Sequence, residues 1–307
     1  MADADGTVQM EAGTRLAETL RSGRLALTAG YVPPPVADAE VIRKQAASFP
    51  LALDAVVVAD NHREISASAL VCSSILAAQG IEPVLTILTR DRNRIALQSD
   101  VLGAAMLGVV NVLCLSGDHQ SLGVSPEAAG AFDIDSVQLI QVLTVMRDEG
   151  VLLEGKPLES RPALFVGAAA HPYLRPLELG LMGLRKKVEA GAEFLITQPV
   201  FDIEGFADWM SAVREAGLHE RTHVIAAVRP LASAEEADHL RTRSKVIPDD
   251  VIARLRESSD PAQEGIRVCA EIAARVKEIE GVRGIHIIPG GLDGALADVI
   301  QQAGLRP

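Results

Sequence analysis

Positive charge, cysteine and long apolar runs are all scarce in this chain of 307 residues, and each shortage closes off a class of function. There are 29 Lys and Arg against 41 Asp and Glu, a formal net charge of −12. A surface of that sign repels phosphate backbones and anionic lipid, so neither nucleic acid nor a membrane is expected as a partner. A local basic patch can still hold an anionic small molecule. The 3 cysteines, Cys72, Cys114 and Cys269, form no C-x-x-C pair. That excludes the usual zinc spacing and a disulfide framework, and it suits a reducing cytoplasm, the expected location. The longest apolar stretch, Val101–Leu115, is broken by Asn111 and is too short to span a bilayer. The acidic start Met1-Ala2-Asp3-Ala4-Asp5-Gly6 is unlike the basic head of a signal peptide. No G-x-G-x-x-G pattern marks a nicotinamide site, and the histidines lack metal-ligand spacing.

What the chain does have is rhythm. Eight short apolar runs recur: Leu25–Tyr31, Ala55–Asp60, Val84–Arg90, Asn111–Asp118, Ala163–His171, Phe194–Gln198, His223–Pro230 and Gly284–Gly291. Stretches of helical periodicity separate them. Eight strand–helix repeats predict an α/β fold, a (β/α)8 TIM barrel, as a single domain with extra helices. Residues 1–12 read as a disordered start and 13–307 as the barrel domain. A helix over Thr14–Ser22 should cap the barrel floor. Helices are expected at 37–49, 65–79, 92–107, 135–148, 177–190 and 204–216, with Ile95, Leu97, Val101, Leu102 and Met106 near helical spacing in the third. The interval 232–280 exceeds one repeat and should hold two or three helices, one starting at Pro248-Asp249-Asp250. Ser121–Phe132 reads as a long loop over the barrel mouth.

A barrel of this kind carries its chemistry at the C-terminal ends of its strands. Those ends read Asp60-Asn61, Arg90-Asp91-Arg92-Asn93-Arg94, Ser116-Gly117-Asp118-His119-Gln120, His171 and Gln198. Three arginines after strand 3 could clamp phosphates or carboxylates, or form a solvated loop with a capping Asp. Gly117 permits close backbone approach, Asp118 can accept hydrogen bonds, and His119 offers an imidazole for acid–base work. Gln198 can read a heterocycle with donor and acceptor together. Lys186 and Lys187 suit the end of a helix. No Lys falls at a strand end, which argues against a Schiff-base aldolase.

Taken jointly, several segments resemble the methylenetetrahydrofolate reductase family. They are Thr89 through Asp100, Leu115-Ser116-Gly117-Asp118-His119-Gln120, Leu184 through Ala192, Ile196-Thr197-Gln198 and Gly281 through His286. The likeness covers roughly residues 15–305 and looks closest to the short bacterial branch. It implies a flavin-dependent reduction of 5,10-methylenetetrahydrofolate to the 5-methyl form, in one-carbon metabolism and methionine biosynthesis. The implied cofactor is FAD, and the implied partners are a folate C1 carrier and NAD(P)H or another electron donor. The resemblance would set Leu115, Gly117 and Asp118 along the flavin. It would set His171, Lys186, Lys187, Ala192 and Ile196 along the ribose and diphosphate, and Gln198 on the pterin. Asp60 joins Gln198 as an expected substrate contact. Association with further copies or a partner subunit is common in the family.

The chain departs from the family pattern in four places. The family's first strand ends in a Glu that acts as general acid, and here that position is Gly30. General acid catalysis is typically worth about 10²–10⁴-fold. Asp60, His119 and Tyr31 are the candidate substitutes. Ser116 stands where the family has an Arg near the diphosphate, Thr86 where it has a His or Gln, and Leu292 near a folate-tail Arg. These departures leave two alternatives: a catalytically altered paralogue, such as a folate-binding subunit or methyltransferase partner, and a flavin-free reductase.

Overall fold

The computed structural model describes residues 12–61, 64–244, 246–292 and 294–306. Eight parallel strands close into a barrel in sequence order. They are β1 (Ala26–Tyr31), β2 (Ala55–Val58), β3 (Pro83–Leu88), β4 (Asn111–Leu115), β5 (Phe165–Ala170), β6 (Phe194–Pro199), β7 (His223–Val228) and β8 (Val282–Ile287). Seven connections carry α2 (Ala39–Ala46), α3 (Ala69–Ala78), α4 (Arg94–Met106), α5 (Ser136–Asp148), α6 (Leu177–Glu189), α7 (Ile203–Glu215) and, before β8, the trio α8 (Ala234–Ser244), α9 (Asp249–Glu257) and α10 (Pro261–Val276). Helix α1 (Arg15–Arg21) precedes the barrel and α11 (Ala295–Gln302) follows it. The expected barrel, the extra helices and the start of α9 after Pro248 are all present. Among the described residues no helix is long and apolar enough to cross a membrane.

Side chains alternate along each strand, so every strand feeds two cores. One core lies between strands and helices and takes Leu27, Ala29 and Tyr31 from β1, with Val56 and Val58 from β2. The other fills the lumen with Ala26, Ala55, Val57, Val84, Leu113, Phe165, Phe194, Ile196, Ile225 and Ala227. Phe165 and Phe194 stack at 5.0 Å there. Gly167 makes room for them, because a Cβ at that position would overlap the Phe194 ring.

Helix α1 plugs the floor. Leu16, Ala17 and Leu20 join the lumen cluster. The Glu82 carboxylate accepts the Arg15 and Leu16 amides at 2.6 and 2.9 Å, satisfying two of the orphan donors of the first turn. Asp54 anchors the same end, accepting from Leu27 N at 2.7 Å, Thr19 Oγ1 at 3.1 Å and Arg306 at 2.5 Å. Ala12, expected in the disordered start, is buried against this plug. The rest of that segment lies outside the described residues.

Helix α4 corrects one expectation. It buries Leu97, Gln98, Val101 and Ala104, while Ile95 is 72% and Met106 87% exposed. Gln98 displaces an apolar residue from the inner stripe because its amide bridges Arg94 O at 3.0 Å and Leu153 N at 2.8 Å.

The lumen packing sets a stability prediction. Gly167→Ala should destabilise the barrel by about 1–3 kcal/mol through overpacking against Phe194. Urea unfolding measures it, and combining it with Phe194→Leu should recover part of the loss.

Candidate active site at the barrel mouth

The C-terminal ends of β2, β3 and β4 are tied together by guanidinium groups. Arg90 N–H donates to Ser116 O at 3.0 Å, prolonging the β3–β4 ladder past the strands. The Arg90 side chain donates to Asp91 at 2.7 and 2.8 Å, to Asn61 O at 2.7 Å and to Asp118 O at 3.2 Å. Arg92 holds Asp60 at 2.6 and 3.3 Å and Asp100 at 2.9 Å. Arg94 takes both Asp133 oxygens at 2.8 and 2.9 Å. The three arginines read as a possible anion clamp are therefore each paired with a carboxylate of the chain itself. Their work here is to fix loops. The expected loop over the mouth is fastened by Ala131 N–H to Arg90 O at 2.7 Å, and Phe132 stacks on His119.

Within that frame Leu115, Ser116, Gly117 and Asp118 turn off the end of β4. Gly117 has φ +84°, and a Cβ there would press on Arg90 Cβ at 3.1 Å, so glycine is required twice over. Ser116 Oγ accepts the Ser136 amide at 3.3 Å, linking the turn to the start of α5, where Asp135 and Gln138 form a capping box. Thr86 and Ile196 face the lumen below this turn, in phase with Val84 and Phe194.

Across the mouth, β6 carries an irregularity between Ile196 and Pro199. Thr197 Oγ1 takes the Ala227 amide at 2.9 Å in place of a ladder partner. The shift leaves Gln198 exposed at the strand end, where its side chain hydrogen-bonds His171. Crowding lowers the His171 pKa first, and the Lys187 charge lowers it further, against the opposing Gln198 bond and Asp118 charge. Lys187 reaches back along α6 to donate to Ala169 O at 2.6 Å. Burial lowers its pKa as well. Beside it a cleft of about 70 Å³ opens between β5 and α6, lined by His171, Leu174, Leu179, Gly180, Gly183 and Trp209 among others.

So Thr86, Leu115, Ser116, Gly117, Asp118, His171, Ile196 and Gln198 share one end of the barrel, with Lys187 reaching it from below. Lys186 is exposed on the same helical turn. Ala192 does not join them. It is buried in the helix-facing core just before β6 begins, at the floor end, beside the Glu193–Arg147 ion pair.

The three residues considered as possible acids from the sequence, Tyr31, Asp60 and His119, also stand elsewhere. Tyr31 points outward, donates to Gln45 Oε1 at 2.6 Å and packs edge-on against Phe49. Burial pushes its hydroxyl up to about 12. The Asp60 side chain is 1% exposed, with both oxygens on Arg92 and the Leu88 amide on one of them. Both carboxylate oxygens are thus engaged by the chain itself, as a strut between the ends of β2 and β3. His119 is exposed and caps the turn at Gln120–Leu122 through Ser121. Among the polar side chains that the barrel turns into its lumen is His286, whose Nδ1 lies 2.9 Å from Thr28 Oγ1. It was visible within the matching last-strand segment, yet only the barrel's two-residue phase turns it inward.

These observations define a (β/α)8 barrel whose polar strand-end residues gather at the C-terminal mouth, beside a largely apolar cleft between β5 and α6. The model of the family "Methylenetetrahydrofolate reductase" matches residues 15–304, and the chain belongs to that family. It is 22% identical over 255 residues to a Caenorhabditis elegans protein named "Probable methylenetetrahydrofolate reductase (NADPH)", covering 80% of this chain and 36% of that one. It is 24% identical over 183 residues to the 5,10-methylenetetrahydrofolate reductase of Escherichia coli (strain K12), covering 58% of this chain and 55% of that one. The chain thus spans between about a third and just over half of these curated relatives. In fold it is similar to a Clostridium thermocellum protein described as binding two copies of 5-methyl-5,6,7,8-tetrahydrofolic acid, with TM-score 0.66 and 14% identity over 94% of this chain and 98% of that one.

The two lumen histidines predict an acid limb in stability. Burial holds His286 at about 4, below the ordinary 6.5. His223, near Arg283 and Arg21, is also held at about 4, mainly by burial. Between pH 6.5 and 4 the unfolded chain binds protons that the barrel refuses, so stability falls as pH is lowered through that window. Urea midpoints at pH 7 and pH 4.5 should show the drop, and His223→Gln should shrink it.

Proposed function

We propose that this chain reduces 5,10-methylenetetrahydrofolate to 5-methyltetrahydrofolate, as a member of the short bacterial branch. The observation that carries this reading is the family match over residues 15–304 combined with the mouth cluster of Gly117, Asp118, His171 and Gln198. The methyl-folate bound by the Clostridium thermocellum protein is consistent with a folate ligand on such a barrel.

FAD is the family's expected cofactor, and the donor chemistry of one wall suits it. Lys187 is a half-buried ammonium whose hydrogen-bond partner is a neutral carbonyl, so an anion beside it would relieve its desolvation. Gly180 and Gly183 strip the facing side of α6 of bulk, beside Leu179 and Trp209. In this reading His171, Lys187 and the β5–α6 cleft hold the nucleotide portion, and Leu115 through Asp118 border the ring. Ser116 brings no charge of its own to the diphosphate. A bound flavin supplies hydride chemistry. Asp118 sets a carboxylate next to the ring position and so disfavours negative charge there. Gln198, held by His171, offers donor and acceptor to the pterin edge. NAD(P)H or a related reductant is the proposed electron source.

Gly30 favours a second reading, a folate-binding paralogue that has lost reductase activity. Two measurements separate the readings. Purified protein with FAD added should show a flavin spectrum that bleaches on anaerobic addition of 5-methyltetrahydrofolate. Absence of both flavin binding and reductase turnover, with folate still bound, would favour the paralogue. Replacing Gln198 by Leu should weaken folate binding by about tenfold, the worth of one hydrogen bond, measured by titration calorimetry.

A further inference from the structure

The mouth half of the lumen holds a titratable side chain that the reading above does not use. From β1 the inward residues are Ala26, Thr28 and Gly30, and β8 sets His286 directly beside Thr28 in register. The Thr28 hydroxyl fixes the imidazole through Nδ1 at 2.9 Å. Nε2 then faces the neighbouring inward position of β1, which is Gly30. A Cβ at residue 30 would stand 3.5 Å from Nε2, 3.7 Å from Cε1 and 3.8 Å from Ile288 Cα. Any side chain at position 30 would therefore lie over the outer edge of the ring. Glycine places no side chain over that edge of the buried ring, and Nε2 has no hydrogen-bond partner among the described residues.

We propose that His286 handles the proton of the reaction, its Nε2 meeting the bridging nitrogen of the folate through the notch left by Gly30. The proposal rests on the reductase reading. The proton passes from Nε2 to the ring nitrogen that bears the aryl tail. The bond between that nitrogen and the methylene carbon breaks, and its electron pair stays on the nitrogen. Hydride from the reduced flavin or nicotinamide donor adds to the iminium carbon so formed, giving the methyl group. Solvent returns the proton to His286. The hydroxyl of Thr28 positions the ring, as an orienting group does for other acid–base imidazoles.

The surroundings of the ring fix the sign of its pH dependence. β1 offers Thr28 and Gly30, the register partner on β7 is Ala227, and Ile288 lies beyond; none carries a charge. Burial alone lowers the imidazole, to about 4. The protonated fraction accordingly falls about tenfold for each pH unit above that value. A rate that depends on it declines as pH rises from 5 to 8.

The test is kcat against pH for the holoenzyme and two variants, with 5-methyltetrahydrofolate affinity measured separately. His286→Asn should lower kcat about a hundredfold, in the range of a general acid, flatten the decline with pH and leave folate affinity within about threefold. Gly30→Ala adds a methyl in ordinary contact with the ring, so it should fold. It should lower kcat at least about tenfold by closing the notch. Wild-type kcat and slope in both variants would overturn the role of His286 while leaving the reductase reading intact. A wild-type protein that neither turns over nor binds 5-methyltetrahydrofolate would overturn both. If His286→Asn does not fold, Gly30→Ala decides alone: unchanged kcat rejects the proposal.

Discussion

The alternation of side chains along eight parallel strands is the constraint on which the rest of this molecule depends. In a closed barrel each strand residue must face either the lumen or the helices, and no third choice exists. That parity places Gly30 inside and Tyr31 outside, and it brings Thr28 and His286 into contact across the seam where β8 meets β1. It also makes the lumen a packed core in its lower half, where Phe165 and Phe194 meet beneath Gly167. Chemistry is thereby confined to the upper half and the loops above it. The plug formed by α1 closes the other end, held by Glu82 and Asp54 rather than by apolar contact alone.

Above the strands a second constraint takes over. Loops cannot use ladder hydrogen bonds, so their backbone groups need other partners. The Arg90 side chain supplies these for two of them at once, reaching Asn61 O after β2 and Asp118 O after β4, while the Asp91 carboxylate holds the guanidinium in place. Arg92 and Arg94 repeat the device with Asp60 and Asp133. A carboxylate for each guanidinium keeps the mouth rigid and leaves little basic charge for a ligand on this side. Lys187 differs, because its contact is a carbonyl. The electrostatic asymmetry therefore directs an anion toward the β5–α6 wall.

Much of the fold was legible in the sequence because its signals are periodic. Each of the eight apolar runs overlaps one strand, and Gly217, directly after the segment 204–216 expected as a helix, takes a left-handed φ of +69°. What periodicity could not supply was the partner of each polar group. Gln98 reads as a break in an apolar stripe until its amide is seen bridging two backbone segments. The arginine cluster reads as a clamp because its carboxylates are scattered at Asp60, Asp100 and Asp133, far away in sequence. Ala192 was drawn into the site by resemblance, and only the direction of α6, running from mouth to floor, removes it. Tyr31 adjoins Gly30 in sequence yet faces the opposite core.

Gly30 is where these constraints meet function. A carboxylate side chain there would stand against the His286 ring, and each group would influence the other's charge. With glycine, the imidazole is left in a wholly uncharged setting, which explains why burial is the sole cause of its low pKa. Such a group is a stronger acid when protonated and a scarcer one at neutral pH, two effects that act in opposite directions on rate. Glycine at this position therefore leaves the imidazole as the titratable group at this level of the lumen among the described residues of β1 and β8. That ring sits level with Gly30 and Thr28, and the Thr28 hydroxyl fixes its orientation.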